Sequence, residues 1–166
     1  MRALDVAFDR LLTALAALAA AIFGAMALLI SVNVVLRNLG LPALFGLLDA
    51  VEYGLLAATF LAAPWVLARN AHVTIDLVTA ALPNNAARLV ARAAACIGLS
   101  VSGTVVVYGA EAALASATRG SMVRTALVFP EWWALAIVPV AFALIALEFL
   151  RQIMRPPTLS RTASGL

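Results

Sequence analysis

The sequence has few charged residues and no lysine. Of its 166 residues 11% are charged, as 11 basic and 8 acidic side chains, and 65% are hydrophobic. Average soluble domains carry roughly 25% charged and 45 to 50% apolar residues. A soluble fold of this length could not bury so much apolar surface, and disordered chains have the opposite composition, low in hydrophobicity and high in charge. The composition therefore places the chain in a lipid bilayer.

Cysteine and histidine are also scarce. The single Cys96 excludes an intramolecular disulfide, a CxxC motif and a cysteine-based zinc site. The single His72 argues against a haem-carrying subunit, because such subunits usually need paired axial ligands. The pI is near 10.0, but the arginines are scattered singly between apolar runs and form no basic stripe for nucleic acid. We expect no cofactor or metal in this chain and no nucleic-acid partner.

Four long apolar runs divide the sequence. Residues 11–36 carry no charge, which corresponds to about 39 Å of helix against a hydrocarbon core of about 30 Å. The apolar region of a cleaved signal peptide is shorter, so we expect an uncleaved anchor. Membrane strands would need alternating polarity, which these runs lack. The predicted transmembrane helices are 11–36, 47–68, 93–118 and 129–150.

The sequence thus predicts an all-α integral membrane protein. Residues 1–154 form a single four-helix domain, and 155–166 a short disordered cytoplasmic tail. With four spans, the two termini and the loop of 69–92 share one side, which carries eight arginines against three on the other. The positive-inside rule then places both termini in the cytoplasm. Tyrosine and tryptophan near the predicted helix ends agree with these boundaries, since amphipathic rings favour the membrane interfaces.

Three glutamates lie inside the spans, toward their outer ends: Glu52, Glu111 and Glu131. In one interpretation Glu52 and Glu131 are first-turn acids favoured by a helix N-terminus, and Glu111 pairs with Arg119 or Arg124. In the other, the three form an acidic outer rim that contacts a partner. Because no span stacks polar residues at its midplane, an ion or proton pathway through this chain alone is not expected.

Other polar residues have simple structural roles. Glu148 is spaced to pair with Arg151 and Gln152 at the inner end of the fourth span. Asn33, one turn before Arg37, is placed to form a hydrogen bond to a neighbouring helix. Small residues at four-residue spacing indicate surfaces where helices pack closely. They are Ala16, Ala20 and Gly24 in the first span and Ala94, Gly98 and Ser102 in the third.

The loop between the second and third spans is unusually apolar. Val73, Ile75 and Leu77 follow Arg69, so we expect an interfacial segment along the inner membrane surface before Pro83 turns the chain. One His and one Asp are too few ligands for a metal. We therefore expect His72 and Asp76 to hold the loop backbone or to contact a partner chain.

The order of these features resembles the small membrane subunit of tripartite ATP-independent periplasmic (TRAP) transporters, the DctQ-like family. The resemblance covers about 5–150. The residues that carry it are Asn33-Val34-Val35-Leu36-Arg37, Glu52, Arg69-x-x-His72-Val73-x-x-Asp76, Leu82-Pro83, Phe129-Pro130-x-Trp132-Trp133 and Pro139. One departure is Ala62-Ala63-Pro64, where relatives commonly have a glycine.

The resemblance implies a non-catalytic subunit in the bacterial inner membrane. It would act as a scaffold or stator for a large DctM-like membrane subunit, which carries the substrate and sodium sites. A periplasmic DctP-like binding protein, which this chain could help to dock, would deliver an organic acid for import driven by a sodium gradient. Membrane lipids are the other expected contacts. The candidate interface or structural residues are Arg37, Glu52, Arg69, His72, Asp76, Glu111, Glu131, Trp132 and Trp133.

Two alternatives stay open at this point. The chain could be an autonomous four-helix transporter or channel that works as a homo-oligomer, although the first span lacks the carboxylate usual in such exporters. It could also anchor a membrane enzyme, which the single histidine disfavours.

Overall fold

Four long helices make up most of the chain that the structure describes. The computed structural model describes the backbone of residues 2–42, 44–79 and 84–154, and the side chains of 5–42, 44–69, 86 and 89–154. The helices are α1 (Arg2–Asn38), α2 (Leu47–Thr79), α3 (Asn84–Arg119) and α4 (Glu131–Met154). A short hairpin of β1 (Met122–Arg124) and β2 (Val128–Pro130) joins α3 to α4.

All four helices are long and apolar enough to cross a membrane. The spanning segments are Asp5–Asn38, Leu47–Arg69, Leu89–Arg119 and Glu131–Met154, with 34, 23, 31 and 24 residues. Even the shortest gives about 35 Å of helix, more than the hydrocarbon core requires. The predicted four-helix membrane fold is confirmed.

The helices pack as two antiparallel pairs. α3 lies along α4 and α1 lies along α2, while contacts between α2 and α4 join the pairs. The buried face of α1 carries Leu12, Ala19 and Met26, which recur every seven residues and so share one side of the helix. Met26 lies against Gly54 of α2: a Cβ at Gly54 would come within 2.6 Å of its sulfur. Few side chains are buried inside the bundle, because a bilayer, unlike water, does not require apolar side chains to be buried within one chain.

Small residues bring α3 close to α4, as their spacing predicts. Gly98 lies directly beneath the ring of Phe149, and Ser102 is buried. Higher on the same interface, a Cβ at Gly109 would lie 3.2 Å from Pro139. The corresponding row in α1 differs, since Gly24 has nothing within 4 Å of its Cβ position. That row does not bring α1 against another described helix at this point.

The segment after the second span continues as helix. We expected a loop over 69–92 with a distinct interfacial stretch, whereas α2 extends to Thr79 and α3 begins at Asn84. The helix continues over 69–79 because no glycine or proline interrupts the sequence from Trp65 to Thr79. That this segment lies along the inner membrane surface stays a prediction. The turn at Pro83 and the tail of 155–166 lie outside the described residues.

The hairpin between α3 and α4 was not predicted. α3 ends at Arg119 and is followed by Gly120, whose positive φ of 63° suits a residue without a Cβ. Met122 pairs with Pro130 and Arg124 with Val128 in an antiparallel register. Two three-residue strands carry too little periodicity to be distinguished from a loop by sequence alone.

Candidate functional site

Charged side chains concentrate at the two ends of the helix bundle. We call the end with the α1–α2 connection and the hairpin the loop end, and the end with Asp5, Asp9 and Arg151 the termini end. Between them, residues 53–68 of α2, 93–110 of α3 and 132–147 of α4 contain no charged residue. Any chemistry of ionised side chains is therefore confined to the ends.

At the loop end, Asp49 fastens α2 to the hairpin. Its Oδ2 accepts a hydrogen bond of 3.0 Å from the backbone N–H of Leu127. The ring of Tyr53 meets that of Phe129 edge to face, with centroids 4.7 Å apart. Leu127 also packs against Gly46, which has a φ of 70° just before α2 begins. These contacts position the hairpin over the start of α2.

Glu131 is the first residue of α4, and its side chain links α4 to α3. Its Oε2 accepts a 2.9 Å hydrogen bond from the hydroxyl of Ser116, which is fully buried. Its backbone N–H donates to the carbonyl of Ser121 over 3.1 Å. The interpretation of Glu131 as a first-turn acid agrees with this position. Sequence analysis missed Ser116 and Asp49 because their partners are distant in the chain or lie on its backbone.

Glu52 and Glu111 differ from these two acids because they are exposed. Glu111 makes no ion pair with Arg119 or Arg124; among the described residues, the ion pairs all converge on Arg151. The expected pairing of Glu111 with an outer arginine was therefore wrong. Both arginines are themselves exposed on or beside the hairpin, where side-chain entropy opposes a fixed pair.

The two adjacent tryptophans also lie at the loop end. Trp132 and Trp133 are 41% and 56% exposed, with their rings edge to face at 6.1 Å. Arg37 is exposed in the last turn of α1, where a cation interacts favourably with the helix dipole. Asn33 binds the loop rather than a neighbouring helix, since its Oδ1 accepts from the N–H of Leu44 over 3.0 Å.

At the termini end, Arg151 draws together α1 and α4. Its Nη1 lies 2.5 Å from Asp9 Oδ1 and 3.5 Å from Glu148 Oε2, and its Nε lies 3.6 Å from Asp5. Gln152 donates a 3.3 Å hydrogen bond to Glu148. The predicted pairs of Glu148 are thus confirmed, whereas the two aspartates of α1 were not foreseen.

Trp65 and Arg69 complete the termini end. The Arg69 guanidinium carbon stands 5.4 Å from the centre of the Trp65 ring, a favourable arrangement of a cation over an aromatic face. His72 and Asp76 lie one turn apart in the extension of α2 beyond this point. Their side chains lie outside the described residues, so their expected role stays a prediction.

Comparison with models of known protein families shows to which family this chain belongs. A family model described as "Tripartite ATP-independent periplasmic transporters, DctQ component" matches residues 26–157. The chain belongs to this family. No curated protein and no solved structure matches it in the corresponding searches.

Membership makes the chain the small component of a TRAP transporter and a multi-pass membrane protein. The match covers the last third of α1, from Met26 onward, and all of the remaining elements. In the part of the DctQ component that the structure describes, no group of three or more His, Cys, Asp or Glu residues is placed to hold a metal ion.

The hydrogen bond from Leu127 to Asp49 makes a testable prediction about the hairpin. Replacing Asp49 by alanine removes the acceptor, and we expect trypsin to cleave after the exposed Arg124 several times faster, because the hairpin then opens more often. The measurement is limited proteolysis of the purified chain, followed by mass spectrometry of the fragments. Glu52→Ala is the matched control, an exposed acid one turn further along the same helix. Equal cleavage rates in the two variants would contradict the role of Asp49.

Proposed function

We propose that this DctQ component is a non-catalytic scaffold for the large subunit of its transporter. The observation that carries the proposal is the uncharged middle of the bundle, together with the use of Asp49, Glu131 and Arg151 to hold helices and hairpin in place. A path for an organic acid or a sodium ion needs polar groups at the depth of the membrane centre. Such groups are expected in the partner.

The bundle surface suits a role as a scaffold. Large apolar side chains are exposed along every helix, including Leu28 in α1 (69%), Leu55 in α2 (45%), Ile97 in α3 (65%) and Val140 in α4 (60%). These apolar side chains can face lipid or another membrane protein, because they carry no polar groups that would need hydrogen-bond partners. We propose that a DctM-like subunit covers part of this apolar surface.

In the proposed assembly both termini lie in the cytoplasm of a bacterium, and the protein resides in the inner membrane. The loop end then faces the periplasm. Its exposed residues include the acids Glu52 and Glu111 and the aromatic pair Trp132 and Trp133, and aromatic side chains are enriched at protein interfaces. We propose that a DctP-like binding protein docks at this end. The proposed activity of the whole complex is the import of an organic acid driven by a sodium gradient.

The test is copurification of the tagged chain with the large membrane protein encoded beside it. We expect a stable complex in mild detergent and no substrate flux in liposomes that contain this chain alone. Substitution of Glu52, His72 or Asp76 is expected to lower the yield of complex severalfold without a change in substrate preference. Cys96→Ala, on the exposed face of α3, is the matched control.

Two outcomes would contradict the proposal. Flux through liposomes with the isolated chain would support the alternative of an autonomous homo-oligomeric transporter. An unchanged yield of complex together with an altered substrate preference would place these residues in the transport pathway instead.

A further inference from the structure

A cavity of about 270 Å³ lies at the termini end between α1, α2 and α4, and its lining includes Trp65 and Arg69 of α2. Arg69 is the last residue of the second spanning segment, and Trp65 lies one helical turn further inside. Tryptophan and arginine at the end of a span reach the depth of lipid headgroups. The cavity lies apart from the residues that secure the hairpin at the opposite end.

The Trp65 indole has a hydrogen-bond donor that the described part of the chain leaves unused. Its Nε1 is buried and has no acceptor among the described atoms. A buried N–H without an acceptor is destabilising, and such groups are rare in folded proteins. Because Trp65 lines the cavity, an oxygen of a bound molecule can supply the acceptor.

Arg69 brings a positive charge to the same place. Its side chain is exposed, and its guanidinium carbon lies 5.4 Å from the centre of the Trp65 ring. Among the described residues it forms no ion pair, since the ion pairs there all involve Arg151. The N–H groups of an arginine form a fixed fork that fits the oxygens of a phosphate. A guanidinium over an aromatic ring can still use these N–H groups, because they lie in its own plane.

The acidic side chains of the lining do not pair with Arg69. Asp9 and Glu148 both contact Arg151. Two acids and two arginines line the cavity, so their formal charges balance. A ligand of Arg69 and Trp65 therefore needs a negative charge and at least two oxygens that accept hydrogen bonds.

We propose that Trp65 and Arg69 bind the phosphate group of a membrane phospholipid. The Nε1–H of Trp65 and the guanidinium of Arg69 donate to the phosphate oxygens. Every phospholipid carries this phosphate, so the site recognises the phosphate rather than the group attached to it. A free phosphate has the same chemistry, but the location of both side chains at the end of a span favours the lipid.

The test is lipid binding to the purified full-length chain, measured by native mass spectrometry. The ligands are dioleoylphosphatidylglycerol, dioleoylphosphatidylcholine and dioleoylglycerol, which has the same acyl chains and no phosphate. We expect each phospholipid to bind at least about tenfold more tightly than dioleoylglycerol, because a hydrogen bond to a charged group contributes about that factor.

Variants of the two side chains assign the binding to the cavity. Trp65→Phe keeps the aromatic ring and removes only the donor, and Arg69→Gln removes the charge. Each is expected to weaken the binding of both phospholipids about tenfold and to leave that of dioleoylglycerol unchanged. Arg69→Lys keeps the cation without the fork and is expected to weaken binding less than Arg69→Gln.

The matched controls lie outside the cavity. Trp133→Phe removes an exposed indole at the loop end, and Arg92→Gln removes an exposed cation from α3; both are expected to bind phospholipid as the original chain does. Circular dichroism checks that each variant is folded. If Trp65→Phe does not fold, the contrast between Arg69→Gln and Arg92→Gln still decides.

Three results would overturn the proposal. Binding of dioleoylglycerol as tight as that of the phospholipids would show that the phosphate is not recognised. Displacement of the lipid by inorganic phosphate at the same concentration would identify a soluble anion as the ligand. Equal binding by Arg69→Gln and Arg92→Gln would show that Arg69 has no specific role, and none of these results depends on whether the chain scaffolds a larger subunit.

Discussion

Replacing Arg151 by glutamine is expected to lower the free energy of unfolding by about 3 kcal/mol, because the change removes a cation that pairs with a buried carboxylate. Glu148 is only 6% exposed, and its Oε2 lies 3.5 Å from Arg151 Nη1. The same substitution removes the link to Asp9 and Asp5 that ties the end of α4 to the start of α1. The measurement is unfolding of the purified chain by titration with a denaturing detergent.

Charge compensation separates this mechanism from a general loss of packing. The double variant Glu148→Gln and Arg151→Gln is expected to recover a large part of the lost stability, since the buried carboxylate that paired with Arg151 is then absent. Arg92→Gln, at an exposed position of α3, is expected to change stability by less than about 0.5 kcal/mol. A double variant as unstable as Arg151→Gln alone would show that the buried charge is not the cause.

Replacing Gly98 by alanine is the second change with a large expected effect. The added Cβ would lie directly against the ring of Phe149, within 2.7 Å of its Cε1 atom, so α3 and α4 must separate or the ring must move. Overpacking of this kind typically destabilises by about 1 to 3 kcal/mol. Thermal unfolding in detergent, followed by circular dichroism, provides the measurement.

A glycine of the same helix provides the matched control. Gly103 has nothing within 4 Å of its Cβ position, so Gly103→Ala is expected to leave stability unchanged or to raise it by up to about 1 kcal/mol through better helix propensity. Shortening Phe149 to leucine in the Gly98→Ala background is expected to restore part of the loss. If both alanine variants are equally stable, the close approach of α3 and α4 at Gly98 is not important for folding.

Much of the fold followed from the distribution of charge. Long apolar runs with few charges predict spanning helices because unpaired backbone groups are not tolerated in lipid. The pairs of Glu148 with Arg151 and Gln152 were predictable for a similar reason, since residues three and four apart share a helix face whatever the surroundings. The row of Gly98 and Ser102 also packs as its spacing indicated.

The incorrect expectations concern how elements end and meet. The extension of α2 to Thr79 and the short hairpin lie where local sequence preferences are weak. Glu111 was expected to pair with Arg119 or Arg124 because these residues are close in sequence. The structure leaves all three side chains exposed and shows no ion pair between them.

By itself, the sequence determined that this protein is a membrane bundle of four helices, because spans are set by composition and by the thickness of a bilayer, both of which act along the chain. Tertiary structure alone decided which polar groups serve the fold. Asp49 meets Leu127, and Asp9 meets Arg151 across 142 positions of the sequence. Such partners depend on which helix faces approach each other, and no local pattern encodes that choice.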